Sequence, residues 1–257
     1  MKARSPSSLT PTKRSSRTTA GDGASSWTKE SVLRELRALA DPAVRKKMAY
    51  FGVDVPKAHG ISAPVLHRLA KRIDKNHQLA RELWLTGIHE ARILATLVGE
   101  PEKLNAAEME HWARDFDSWD VVDAACCYLY AYSRLAWNTA LAWSYRREEY
   151  VKRAAFSLMA YLSYKDKEAA NARFRQCLRI IEREASDERH FVKKAVNWAL
   201  RNIGKRNLPL NRAAIRVAER IREQGTSSGR WIASDALREL RSPAVQARLR
   251  RKVGGKK

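Results

Sequence analysis

Apolar residues recur at the three-and-four spacing of a helix from Trp27 almost to the C-terminus, and no stretch alternates with the period of two that marks a strand. Val32, Leu33, Leu36 and Leu39 fall in register in the first segment, and Asp41-Pro42 supplies a cap and a first-turn proline for the second. A loop is expected from Gly52 to Gly60. Ser62-Ala-Pro64 then opens a helix whose stripe is Leu66, Leu69, Ala70 and Ile73. Further helices are expected near 76–85, 88–99, 105–115, 118–132, 134–144, 148–163, 167–184, 188–203, 209–223, 229–240 and 242–252. Short connections imply antiparallel neighbours, so the expected fold is all-α.

The segments also resemble one another. The strings beginning Glu90-Ala91-Arg92, Lys152-Arg153-Ala154 and Lys193-Lys194-Ala195 can be superposed on basic residues at 92, 153 and 194. Val122-Asp123-Ala124-Ala125-Cys126-Cys127 fills the wider gap. Helix pairs of this length with poor mutual identity are what a HEAT-like helical repeat solenoid, an α-α superhelix, looks like. Equivalent positions then line one concave surface, with a cation from three units and Asp123 from the fourth. Charges flanking small residues by chance would give the same short strings.

Asp123 stands out for a second reason. Trp119, Val122, Cys126, Cys127 and Tyr130 form one apolar helical stripe, and Asp123 lies in it one turn from Trp119. A carboxylate there is costly unless it is paired, hydrogen-bonded or used. The neighbouring acids have plainer readings: Asp117 or Ser118 can cap the helix, and Asp120 falls in its first turn, where the helix dipole favours an anion.

Charge gives the surface its partner. The chain of 257 residues carries 50 Lys and Arg against 28 Asp and Glu, a net +22, which points to a polyanion, nucleic acid first. Residues 1–26 hold five cations against Asp22 and almost nothing apolar, and are expected to form a disordered basic tail of charge +4. The remaining +18 belongs to a single repeat domain over residues 27–257. No apolar run is long enough to span a bilayer and no signal segment opens the chain, so no membrane role is expected. Cys126, Cys127 and Cys177 have no metal-ligand spacing, and the six histidines are scattered singly, so no metal or other cofactor is expected. The cysteine usage fits a reducing cytoplasm, with association with the nucleoid when DNA is bound.

A cationic helix surface suits a phosphate backbone. Arg92, Arg153, Lys193 and Lys194 are candidates for it, with Arg201 and Lys205 extending the strip beyond Trp198. A carboxylate within that strip weakens binding. It becomes useful if positive charge develops on the ligand, as when the bond between a nucleobase and its sugar breaks through an oxocarbenium-like state. Trp119 and Trp198 stand in register beside the charged positions, and an indole face suits a cationic alkylated purine.

These residues carry a resemblance. Phe116-Asp-Ser-Trp119-Asp-Val-Val-Asp123, Tyr150-Val-Lys-Arg153-Ala-Ala-Phe and Phe191-Val-Lys-Lys-Ala-Val-Asn-Trp198-Ala-Leu-Arg201 together resemble the AlkD-type DNA alkylation repair glycosylases. Lys57-Ala-His-Gly60 through Lys71, and Gly87-Ile-His-Glu90-Ala-Arg92, fit the same family, and coverage runs from about Trp27 to Lys252. The resemblance implies a HEAT-like solenoid that wraps duplex DNA and hydrolyses the N-glycosidic bond of N3- and N7-alkylated purines, as a monomer and without metal or cofactor. It also implies that the lesion is not drawn into a deep pocket, unlike the usual base flipping. Asp123 would be the catalytic carboxylate, Trp119 and Trp198 the aromatic walls, and Arg153 the group that holds the backbone. Tyr50 is the nearest match to a cleft tyrosine of the family, although Gly52-Val-Asp-Val-Pro56 after it is not the family's aromatic-rich passage. Lys152 stands where an arginine is usual. The competing readings are a catalytically silent HEAT-like scaffold that binds DNA or RNA, and a protein-interaction solenoid.

Overall fold

The computed structural model describes residues 27–254, with side chains through 251; the tail expected over residues 1–26 lies outside the described residues. Fourteen α-helices follow one another with no strand among the described residues. They are α1 (Lys29–Ala38), α2 (Pro42–Tyr50), α3 (Ala63–Ile73), α4 (His77–Trp84), α5 (His89–Val98), α6 (Ala106–Arg114), α7 (Trp119–Ala124), α8 (Ala136–Trp143), α9 (Glu149–Lys165), α10 (Asn171–Glu184), α11 (His190–Gly204), α12 (Leu208–Glu223), α13 (Ser227–Leu240) and α14 (Pro243–Gly254). The all-α expectation holds, and most boundaries fall within two residues of those read from the sequence. Local chemistry explains the starts: Asp41, Asn76, Asn105, Asn207 and Thr226 each accept a hydrogen bond from a first-turn amide.

The helices form two rows. In one row α3 packs on α5, α5 on α7, α7 on α9, α9 on α11 and α11 on α13. Behind it α4 packs on α5, α8 on α9, and α10 and α12 on α11. Helix α9 is buried at its centre, from Arg153 through Ala160, and lies at the middle of the stack. Tryptophan fills much of the space between the rows. Trp84 stacks on Trp112 with centroids 4.2 Å apart; Phe116 meets Trp84 edge to face, Tyr130 lies tilted against Trp112, and Trp143 meets Tyr130 edge to face.

Two expected helices differ in the structure. The segment 118–132 is α only to Ala124; a π segment follows over Ala125–Leu129 and a 3-10 turn over Tyr130–Tyr132. In the π segment the Tyr130 amide bonds the Ala125 carbonyl, five residues back. The single apolar stripe read from the sequence therefore splits. Val122, Cys126 and Tyr130 are fully buried, whereas Trp119, Asp123 and Cys127 are only partly so and share a neighbouring face. The helix expected from 167 begins only at Asn171, because the Asp166 carboxylate folds the chain into a turn. It accepts from the Ala169 amide and from the Trp137 indole.

Successive repeats are stitched by polar pairs some twenty-five to forty residues apart. Arg92 reaches Asp117 at 3.0 Å, Lys152 reaches Glu184 at 2.6 Å, Arg201 reaches Glu239 at 2.7 Å and Arg220 reaches Glu182 at 2.6 Å. Glu90, fully buried on α5, makes a different junction: its carboxylate accepts the consecutive amides of His59, Gly60 and Ile61 at 2.6–3.2 Å. Gly60 has φ +84°, and a Cβ there would lie 2.2 Å from the Asp41 carbonyl oxygen, so this loop turns where only glycine fits. The Glu90 clamp thus fixes α2 and its following loop against the inner row.

Burial alone would lower the pKa of His89, but the Asp120 hydrogen bond at 2.9 Å and the Asp120, Glu90 and Asp117 charges turn the shift upward. Burial would raise Asp120, and His89 more than offsets it, so Asp120 sits below its usual 3.8. The pair therefore stabilises the fold fully between about 3.8 and 6.5 and loses that contribution as pH rises through the folded His89 pKa.

Two stability measurements follow from these junctions. Glu90→Gln is expected to lose roughly 3 kcal/mol in urea denaturation, since an amide nitrogen faces three N–H donors. His89→Gln is expected to cost on the order of 1 kcal/mol at pH 6 and less at pH 9. A cost independent of pH would remove the His89–Asp120 pair as its cause.

Candidate nucleic-acid interface and active site

The partly buried face of α7 and the centre of α9 meet through polar side chains at helical spacing. Trp119, Asp123 and Cys127 recur every four residues on one side; Arg153, Ser157, Tyr161 and Lys165 recur every four on the other. Arg153 donates from Nε to Asp123 Oδ1 at 3.2 Å and from Nη2 to Oδ2 at 2.7 Å, and Ser157 Oγ donates to Oδ1 at 2.8 Å. Lys165 Nζ closes the far end by donating to the Cys127 carbonyl. Four lone pairs are available on a carboxylate, and Oδ2 has one protein donor, so Asp123 keeps an acceptor site while its orientation is fixed.

Arg153 is more committed than its partner. It is 6% exposed, gives a third N–H to the Phe191 carbonyl at 2.9 Å, and places its guanidinium 5.8 Å from the Trp119 ring centroid and 6.0 Å from that of Phe191. The Asp123 side chain remains 17% exposed. Burial pushes the Asp123 carboxyl above the usual carboxylate range, while the Arg153 charge and the hydrogen bonds from Arg153 and Ser157 pull it back only in part. Burial and Asp123 also hold the Tyr161 phenol far above its usual range, so it stays neutral. Tyr161 meets Trp198 edge to face at 4.9 Å.

Two hollows flank this centre and share Arg153 and Lys194. One, of about 590 Å³, is lined by Tyr50, Phe51, Trp119, Arg153, Phe191 and Lys194. The other, of about 380 Å³, is lined by Asp123, Arg153, Lys194, Trp198, Arg201 and Trp231 among others. The chain at the end of α2 reaches both α7 and α11 beside the first hollow: the Trp119 indole donates to the Phe51 carbonyl at 3.0 Å, and a Cβ on Gly52 would touch Phe191 at 3.5 Å. Tyr50 is 84% exposed and packs edge to face on Phe51.

The structure thus gathers Tyr50, Trp119, Asp123, Arg153, Lys194, Trp198 and Arg201 along one cleft. Lys193 lies beside it, with its ammonium 5.9 Å from the Trp231 centroid. Arg92 sits elsewhere, against Trp84 and bonded to the Asp115 carbonyl and the Asp117 carboxylate. Lys152 is held by Glu184 and Asp187. Arg201 is shared between the cleft and the carboxylates of Asp235 and Glu239, and Lys205 bonds Glu239 beside a different hollow. Of the expected strip, Lys194 is the member classed as exposed within both cleft hollows. Ser157, Tyr161, Phe191 and Trp231 escaped the sequence reading. The first two were visible as polar residues four apart within an otherwise apolar helix; Phe191 and Trp231 carry no local signal.

No helix among the described residues is long and apolar enough to cross a membrane. Among those residues no three His, Cys, Asp or Glu side chains cluster as a metal site. Cys126 and Cys177 are buried and free, and burial pushes the Cys177 thiol up to about 12.

Comparison with known proteins now bears on this cleft. No curated protein matches the chain significantly. A solved structure, described as "a new family of proteins related to the HEAT-like repeat DNA glycosylases with affinity for branched DNA structures", superposes with a TM-score of 0.68 at 21% identity, over 76% of this chain and 83% of that one. At that identity the likeness shows the fold, which is a HEAT-like helical repeat. A family model described as "DNA alkylation repair enzyme" matches residues 32–240, the whole stack from α1 through α13. The chain belongs to the DNA alkylation repair enzyme family.

Proposed function

We propose that the chain is a monofunctional DNA glycosylase that hydrolyses the N-glycosidic bond of N3- or N7-alkylated purines in duplex DNA. One observation carries this reading: a fixed, partly exposed carboxylate stands between aromatic side chains in a cleft whose cations are Arg153, Lys194 and Arg201 and whose other carboxylate, Asp235, pairs with Arg201. Binding to phosphate has no use for it. A developing oxocarbenium sugar does, because a preorganised anion stabilises that charge without reorganising. In the proposed reaction the C1′–N bond breaks with its electron pair leaving on the alkylated purine, which departs uncharged. Water adds its oxygen to C1′ and releases a proton. The open lone pair of Asp123 orients that water, Arg153 and Ser157 hold the carboxylate, and Trp119 and Trp198 flank the lesion. Lys194 and Tyr50 lie where the adjoining backbone would pass. Membership of the DNA alkylation repair family supports the substrate class.

A second reading has its own support. Three of the donors around Asp123 are the protein's own, as in a purely structural ion pair. The solved protein of the same fold is described as having affinity for branched DNA. On that reading the chain is a catalytically silent DNA-binding scaffold, and a four-way junction should bind more tightly than a linear duplex.

Single-turnover release of 7-methylguanine separates the two. Asp123→Asn is expected to slow release a hundredfold or more, about 2.7–4 kcal/mol in the barrier, with duplex affinity unchanged or higher. Because the change leaves Arg153 without its anion, melting is measured beside it. A folded variant with wild-type release would remove Asp123 from the chemistry, and a wild type that releases nothing would leave the scaffold reading. The wild-type rate is also expected to fall on acidification, with a midpoint above the 3.8 of an ordinary aspartate, because activity needs Asp123 ionised and burial raises its pKa. For binding, Lys194→Ala is expected to lower the slope of log affinity against log salt by about one, equally on damaged and undamaged duplex. An unchanged slope would remove Lys194 from the phosphate contacts.

A further inference from the structure

Behind the cleft lies another hollow, which neither the backbone contacts nor the hydrolysis above uses. It holds about 260 Å³ and is lined by residues of α2, α3, α5, α7 and α9, together with Cys127 and Tyr128 of the π segment. Trp119 and Asp123 form part of its wall, so it adjoins the reacting centre.

Its chemistry restricts the occupant. The lining is largely apolar, with Met48, Leu66 and Ile93 among its members, and several of its polar groups are held by neighbours. His67 and Tyr128 hold each other, Nε2 to hydroxyl, at 3.1 Å. His89 is 2% exposed, is pinned through Nε2 to Asp120, and its Nδ1 has no hydrogen-bond partner among the described residues. Both features describe a small-molecule site: apolar walls with a few convergent polar atoms. The volume falls below the roughly 300–1,000 Å³ of drug-sized sites, which limits the occupant to one fused ring system. No lysine or arginine lines the hollow, while Asp120 and Asp123 do, so a phosphate is excluded and a neutral or cationic heterocycle is favoured.

We propose that this hollow binds a purine base, with His89 in the wall beside the rings. The ligand class rests on the hydrolase reading above, since that reaction frees such a base beside Asp123. The same ring could enter while still attached to DNA as an extrahelical base, or only after release. Attached entry would depart from the pocket-free mode that the family resemblance implies.

The test starts without DNA. Free 3-methyladenine is titrated into the full chain by calorimetry, and saturable one-to-one binding is expected. Ala63, exposed at the start of α3 and lining the hollow, is replaced with tryptophan. Ala63→Trp is expected to weaken binding at least tenfold with cooperative melting retained, and His89→Phe to weaken it as well. Adenosine monophosphate is expected not to bind. Absent binding by the wild type, equal binding by a folded Ala63→Trp, or equal binding of the monophosphate overturns the proposal. A duplex carrying 2-aminopurine then assigns the source. Fluorescence that rises with the wild type and not with Ala63→Trp means the base enters attached; no rise with either, beside free-base binding, means that it enters released. Base binding without lesion excision would sink the hydrolase and keep the site, and excision without base binding would do the reverse.

Discussion

The Asp123–Arg153 pair is the contact on which the centre of the molecule depends. Two buried charges are costly to desolvate, and the cost is met only when geometry and further hydrogen bonds are good. Here both conditions come from helix periodicity. Arg153 and Ser157 stand one turn apart on α9, with Lys165 two turns further on, and they meet Asp123 and the Cys127 carbonyl on the facing element. The row of contacts sets the register of α7 against α9, the rotation of Asp123 and the placement of Trp119 at once. Losing either charge would leave the other without its counter-ion, so the same pair fixes the fold locally and shapes the site.

How the remaining cations are used follows from the stack. Helical layers that bury similar aliphatic faces do not by themselves choose one register, and polar pairs between repeats supply that choice. Arg92, Lys152, Arg201 and Lys205 each meet a carboxylate thirty or so residues away, or at least twenty-three, in the next repeat. A count of basic residues on the inner row therefore overstates what is free to meet phosphate. Lys194 differs because it stands exposed where two hollows meet.

Much of this was legible in the sequence. Helix positions followed from apolar spacing and caps, because most helices here bury one apolar face and most connections are short. Asp123 could be singled out because an anion in an apolar stripe is expensive wherever the chain folds. Its partners were harder. Arg153 was visible as a repeat equivalent, but nothing in the order of residues says that equivalent positions will pair rather than stand side by side. Arg92 looked the same as Lys194 for that reason, and only the packing of Asp115 and Asp117 beside it tells them apart. Phe191 acts through its carbonyl, which no side-chain pattern encodes. The π segment carries no signal in the apolar spacing, which reads as one helix over 118–132.

That segment has a consequence for how the site could change over time. A π turn takes up roughly one residue more than an α turn. Residues before it and after it are thereby released from a common angular phase. On one side stand Trp119 and Asp123; on the other, Leu129 and Tyr130 are locked into the interior without exposure. A small rotation of the first group need not be passed on to the second, so the widened turn works as a phase joint. Substitutions that re-aim the carboxylate can accumulate upstream of it while the interior downstream keeps its packing.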